Sequence, residues 1–175
     1  MAVELDVRLT RPCNAEAIRS KIEEVLLQRL RISVRPDVRM CIQRNQSEKN
    51  LLSEHEAMVL SIDGLAEVSI MPYSNPSDSS SWACISYAQL RSPESKILCL
   101  AAAVVLAKHN GVVIQDESDV FGCGTRIDPD HAFAGFDDIG DSADFAKQVM
   151  KAIQLLDMRH TPPAPPDLPP STPRG

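Results

Sequence analysis

Between Asp116 and Asp144 the chain carries nine carboxylates, Asp116, Glu117, Asp119, Asp128, Asp130, Asp137, Asp138, Asp141 and Asp144. Three phenylalanines, Phe121, Phe133 and Phe136, are set among them. Carboxylates this dense can ligate a cation, or present negative charge to a basic protein. Calcium suits them poorly, because Asp116-Glu-Ser-Asp119-Val-Phe-Gly122 lacks both the alternating oxygen ligands and the closing glutamate of a calcium loop. Two readings stay open. In one, the aspartates cap turns and helices in a solvated loop. In the other, Asp116, Glu117, Asp119, Asp128, Asp130, Asp137 and Asp138 supply charge while Phe121, Phe133 and Phe136 act as apolar anchors. Anchors within an electrostatic rim are the usual anatomy of a protein interface, and a fixed anionic patch speeds encounter with a cationic partner.

Thiol chemistry has one candidate. Cys123 sits between Gly122 and Gly124 with His131 eight positions on, and His55 and His109 are other candidate bases. No nucleophile signature surrounds it, and a lone cysteine with a distant histidine is a weak signal. His109 also suits the negative end of a helix. The glycine-rich nucleotide loops, the HExxH zinc motif and the GxSxG elbow are all missing from the sequence. We therefore expect a protein that binds rather than catalyses, with no cofactor and no metal.

The charge is uneven. Residues 1–60 sum to +1, 61–110 to −1, 111–160 to −6 and 161–175 to zero, so the net −6 lies in one segment. Phosphate backbones demand clustered Lys and Arg, so nucleic acid is not the expected partner. Cys13, Cys41, Cys84, Cys99 and Cys123 are odd in number and irregularly spaced, which predicts free thiols in a reducing compartment. The apolar run Ile97 to Ala107 is eleven residues, short of the roughly 20 that cross a bilayer. The N-terminal residues lack the layout of an export signal. Cytoplasmic residence without a membrane anchor is the expectation.

These residues need a scaffold, and 175 residues suffice for one domain over 1–160 with a proline-rich tail over 161–175. Val3, Leu5, Val7 and Leu9 alternate as in a half-buried strand. Asn14 can cap a helix whose apolar stripe is Ile18, Ile22, Val25, Leu26 and Leu30. Val38–Ile42, Ala57–Ile62, Leu65–Met71 and Trp82–Tyr87 read as strands. Asp63-Gly64 suits a type I′ hairpin turn, and Pro72–Ser81 and Arg44–Asn50 read as loops. Ser92-Pro93-Glu94, a hydroxyl cap followed by proline and a first-turn carboxylate, opens a helix that runs to Asn110, with Gly111 as its stop. That helix is apolar nearly all round, so it must be the buried centre. A short strand at Val112–Ile114, an aperiodic stretch over 115–141, and a final helix capped by Asp141 or Ser142 complete the chain. The final helix has an apolar stripe of Phe145, Ala146, Val149, Met150, Ile153 and Leu156. The order predicts an α+β fold, a mostly antiparallel sheet with about three helices, the one over 93–110 central.

Ser92-Pro93-Glu94 leading into Leu98 to Ala107, then Lys108-His109-Asn110-Gly111-Val-Val-Ile-Gln-Asp116, resembles immunity proteins of bacterial polymorphic-toxin and type VI secretion systems. About 25 residues carry the resemblance. It implies a stoichiometric inhibitor that occludes a cognate toxin acting in the cytoplasm, such as a nuclease with a basic groove. An enzyme built on Cys123 or the acidic loop, and an adaptor or chaperone that releases a secreted client, are the alternatives. A homodimer is compatible with any of these.

Overall fold

In the computed structural model, which describes residues 2–43, 56–62, 64–88 and 92–159, one seven-stranded sheet carries three helices. The strands are β1 (Ala2–Leu9), β2 (Val38–Gln43), β3 (Ala57–Ile62), β4 (Ala66–Ser74), β5 (Ser81–Ala88), β6 (Ile114–Gln115) and β7 (Arg126–Ile127). Their order is β2-β3-β4-β5-β1-β6-β7, and every pairing is antiparallel. The helices are α1 (Ala15–Arg29), α2 (Pro93–Asn110) and α3 (Phe145–Arg159). No helix among the described residues is long and apolar enough to cross a membrane.

The alternation in the strands decides which side faces the helices. Val3, Leu5 and Val7 of β1, Met58, Leu60 and Ile62 of β3, Val68 and Ile70 of β4, and Ala83 and Ile85 of β5 are all buried on one face. Helix α2 lies against that face, touching β1, β4, β5 and β6, and is flanked by α1 and α3. Every residue from Ile97 to Ala107 is buried, as an apolar circumference requires. Successive strand side chains point to opposite faces, so Asp6, Cys84 and Met71, which are register partners across β1, β5 and β4, share the other face. No helix packs on that second face among the described residues.

Local chemistry sets the ends. The Asn14 side chain accepts from the Ala17 N–H at 2.9 Å, and Gly111 turns α2 off in the left-handed region at φ 67°. Asn110 fastens α2 to the end of β1: its Oδ1 accepts from the Thr10 and Arg11 N–H groups at 2.7 and 3.0 Å.

Several local expectations need correction. The Ser92 hydroxyl does not cap α2; it donates to the Leu65 carbonyl, tying the helix start to the β3–β4 connection. Helix α3 is capped by Asp144, which accepts from the Lys147 N–H at 3.0 Å, and Met150 is exposed rather than packed. The β3–β4 connection places Ile62 opposite Ala66, leaving three residues in the turn instead of two. Gly64 has the positive φ that such a turn needs, 74°, while Asp63, and with it the turn type, lies outside the described residues. Strand β4 runs through Pro72 to Ser74, where a loop was expected. Pro72 lies past the last rung with β3, where β4 pairs with β5 alone and a missing N–H costs least. The short strand after α2 falls at Ile114–Gln115. The loop expected over 44–50 and the tail over 161–175 lie outside the described residues.

Candidate interaction surface

The acidic segment is ordered by its own carboxylates. Asp116 is fully buried. Its Oδ2 accepts from the Phe121 N–H at 3.2 Å, and its backbone N–H donates to the Thr125 carbonyl at 3.0 Å. Asp119, in the left-handed region at φ 48°, accepts from the Gly124 N–H at 2.8 Å. Asp128 accepts from the Asp130 N–H at 2.9 Å and lies 3.1 Å from His131 Nδ1. These are the turn-shaping roles that aspartate performs because its short side chain reaches nearby backbone N–H groups. The Asp130 N–H and then the His131 ring hold the Asp128 carboxyl below its usual value.

Burial overturns the expected anchors. Phe121, Phe133 and Phe136 are all in the core, Phe133 and Phe136 meeting edge to face with centroids 5.2 Å apart. The Arg159 guanidinium lies 5.9 Å from the Phe136 ring and reaches the Ala132 carbonyl at 3.2 Å. An aperiodic segment gives no strand or helix to bury, so its large apolar side chains supply the packing that fixes it. Each such burial stabilises by roughly 2–3 kcal/mol. Asp116 is withdrawn from any partner for the same reason.

Of the remaining expected residues, Glu117, Asp128, Asp130, Asp137 and Asp138 are exposed and Asp119 is half-buried, and several lie against different elements. Asp130 pairs with Lys108 at 2.7 Å, near the end of α2. Asp137 and Asp138 lie in a 3-10 turn, Phe136–Ile139, whose Asp137 carbonyl accepts from Arg31, just past the end of α1. Glu117 lies with Asp6 of β1 at the sheet. Of the ten residues expected to dock, Asp116 and the three phenylalanines are therefore in the core, and six carboxylates reach solvent.

Around Cys123, the Arg159 Nη1 approaches the sulfur to 2.7 Å and the Phe121 carbonyl lies 3.4 Å from it. Among the described residues no histidine hydrogen-bonds to it: His131 engages Asp128, and His109 lies 3.1 Å from the Pro12 carbonyl. His55 lies outside the described residues.

The second face of the sheet is a surface that the sequence reading did not single out. Met71 and Tyr73 are 45% and 38% exposed there, and Trp82 and Cys84 are half-buried beside them. Tyr73 and Trp82 are cross-strand partners, as are Asp6 and Gln115. The Tyr73 hydroxyl donates to Asp6 Oδ1 at 3.1 Å. Desolvation raises the Asp6 carboxyl above its ordinary value, the Tyr73 hydrogen bond opposes this, and Glu4 and Glu117 add to the rise. Burial, followed by the Asp6 charge and its hydrogen bond, pushes Tyr73 up to about 12. Cys84 is likewise pushed up to about 12, by burial and then by Asp6 and Glu4. The signal in the sequence was the alternation of Glu4, Asp6 and Arg8 against Val3, Leu5 and Val7. It separates the faces but does not say that the polar one stays uncovered.

The architecture defines an α+β protein with its helices on one side of an antiparallel sheet and, among the described residues, the other side open. Comparison with family models, with curated proteins and with solved structures finds no match.

Proposed function

We propose that this chain is a stoichiometric protein-binding inhibitor that docks on its cognate target through the open face of the sheet. The observation that carries the reading is the apolar group Met71, Tyr73 and Trp82 beside the carboxylates Glu4, Asp6 and Glu117, all but Glu117 mounted on paired strands and Glu117 in the turn that follows β6. Aromatic and methionine side chains within a polar rim are what interfaces use as anchors. Side chains on a sheet lose little freedom when a partner arrives, which favours affinity. The resemblance of residues 92–116 to immunity proteins gives the target class, a toxin acting in the cytoplasm. A nuclease, whose substrate groove is basic, is the member that an acidic rim fits.

The test is growth of cells expressing the toxin gene that neighbours this one in its source genome. The wild-type chain restores growth and forms a one-to-one complex with the toxin on a sizing column. Met71→Asp keeps the fold, because residue 71 is solvent-facing, yet it loses the complex at least tenfold. Full protection by Met71→Asp overturns the docking face, and no protection by the wild type overturns the inhibitor.

A further inference from the structure

We infer that the depression between β1, β4, β5 and β6 on the open face is a receptor for one arginine side chain of the protein partner. This rests on the docking reading above and names the chemistry that the partner must present. Asp6, Tyr73, Asn75, Trp82, Gln115 and Glu117 line the depression, whose volume is about 260 Å³. That is below the roughly 300–1,000 Å³ of small-molecule sites, so it suits a single side chain rather than a cofactor.

Its chemistry is one-sided. Two carboxylates, Asp6 and Glu117, meet two aromatic rings and two side-chain amides. Among the described residues neither carboxylate has a cation within ion-pair distance. Arg8, opposite Trp82 on the same face, acts on Asp78 and lowers its carboxyl, behind the hydrogen bonds from Ser80. Arg126, opposite Gln115, makes no ion pair with either carboxylate among the described residues. Glu4 adds further negative charge, and the repulsion among Glu4, Asp6 and Glu117 is one reason that Asp6 is hard to ionise. The site thus holds unbalanced negative charge beside aromatic surface, and a cation relieves both at once.

Arginine fits better than lysine. Its planar guanidinium stacks on an indole or phenol ring while its edge donates to carboxylates and amide oxygens, whereas an ammonium is a compact, strongly hydrated point charge. Tyr73 already donates to Asp6 Oδ1, which fixes that carboxylate in place before any ligand enters.

Trp82 is the only tryptophan in the chain, so its emission reports on this depression. The probe is the blocked pentapeptide Ala-Ala-Arg-Ala-Ala, titrated into the full chain beside the same peptide with neutral citrulline in place of arginine. The arginine peptide is expected to change the Trp82 emission saturably, with a dissociation constant on the order of 1 mM, as fits a single charged contact. The citrulline peptide is expected to bind at least tenfold more weakly. The double variant Asp6→Asn, Glu117→Gln, with circular dichroism verifying its fold, is expected to lose the discrimination. Equal responses to the two peptides, or an unchanged preference in the double variant, overturn the inference. If Met71→Asp abolishes toxin binding while the peptides are not distinguished, the docking face stands and the arginine receptor falls. If the peptides are distinguished while Met71→Asp still binds toxin fully, the depression binds arginine, but the docking face falls and with it the assignment of that arginine to the toxin.

Discussion

Two aspartates, Asp6 on β1 and Asp116 just past the end of β6, answer burial in opposite ways. Asp116, inside the protein, hydrogen-bonds the Phe121 N–H and so organises a turn, although its Oδ1 has no partner among the described residues. Asp6, half-buried on the open face, faces two other carboxylates and is raised by desolvation first. An acid with a raised folded value binds more protons folded than unfolded. Its contribution to stability is therefore complete below the unfolded value and is lost as pH rises through the folded one. Asp6→Asn removes that loss and still accepts from Tyr73. The variant should match the wild type near pH 3 and become the more stable protein as pH rises towards 6, by less than about 1 kcal/mol because the site is partly solvated. Urea denaturation across that range measures the gap, and a gap that closes with rising pH reverses the argument. At this scale the sequence was least legible. The types of Phe121, Phe133 and Phe136 were plain, but whether a phenylalanine among aspartates points in or out depends on what the loop must cover. Here it covers α2 and α3.

The secondary-structure elements read more clearly, because they rest on local signals that tertiary packing did not override. Helix α2 was evident from Pro93 at its start, Gly111 at its end and an apolar run between them. Strand β3 was evident from alternation. The error at β4 came from treating Pro72 as punctuation, when a proline past the last β3 rung is compatible with a strand. That misreading removed Tyr73 from the sheet, and with it half of the aromatic pair on the open face. Gly111 allows a clean test of a helix stop. A Cβ built there would meet nothing within 4 Å, so Gly111→Ala has only the backbone conformation at φ 67° to resist it. The expected loss is about 1 kcal/mol in chemical denaturation. A loss of several times that would mean that the end of α2 is held by something besides its left-handed turn.

Across the molecule, the two faces of the sheet divide the chemistry. One face and α2 share the core, while the other presents side chains to solvent. The five thiols report that division. Cys13 and Cys99 are buried, Cys41 is exposed on β2, and Cys84 and Cys123 lie between these extremes. In the native protein at pH 8, an aromatic disulfide reagent should label Cys41 first. Cys84 should lag well behind its exposure, because a thiol pushed up to about 12 supplies little thiolate. Cys13 and Cys99 should react only as fast as the whole protein opens, and all five together in denaturant. Mass spectrometry of the labelled chain gives the order, and early labelling of Cys99 would contradict a closed core. The α+β architecture and the buried helix were legible in the sequence. Which face stays open was not, because hydrophobic alternation distinguishes two sides without counting the helices available to cover them.

The placement of β1 also sets a schedule. It is the earliest strand along the chain, yet it stands fifth of seven across the sheet, between β5 and β6, with Asp6 beside Gln115. Pairing at that separation must overcome the entropy of closing a long loop, and such topologies fold slowly. During translation, therefore, a nascent chain carries both edges of this strand unpaired until Ser81–Ala88 leaves the ribosome. Helix α2 then waits with one flank bare for α3, and assembly becomes a late, nearly all-at-once event.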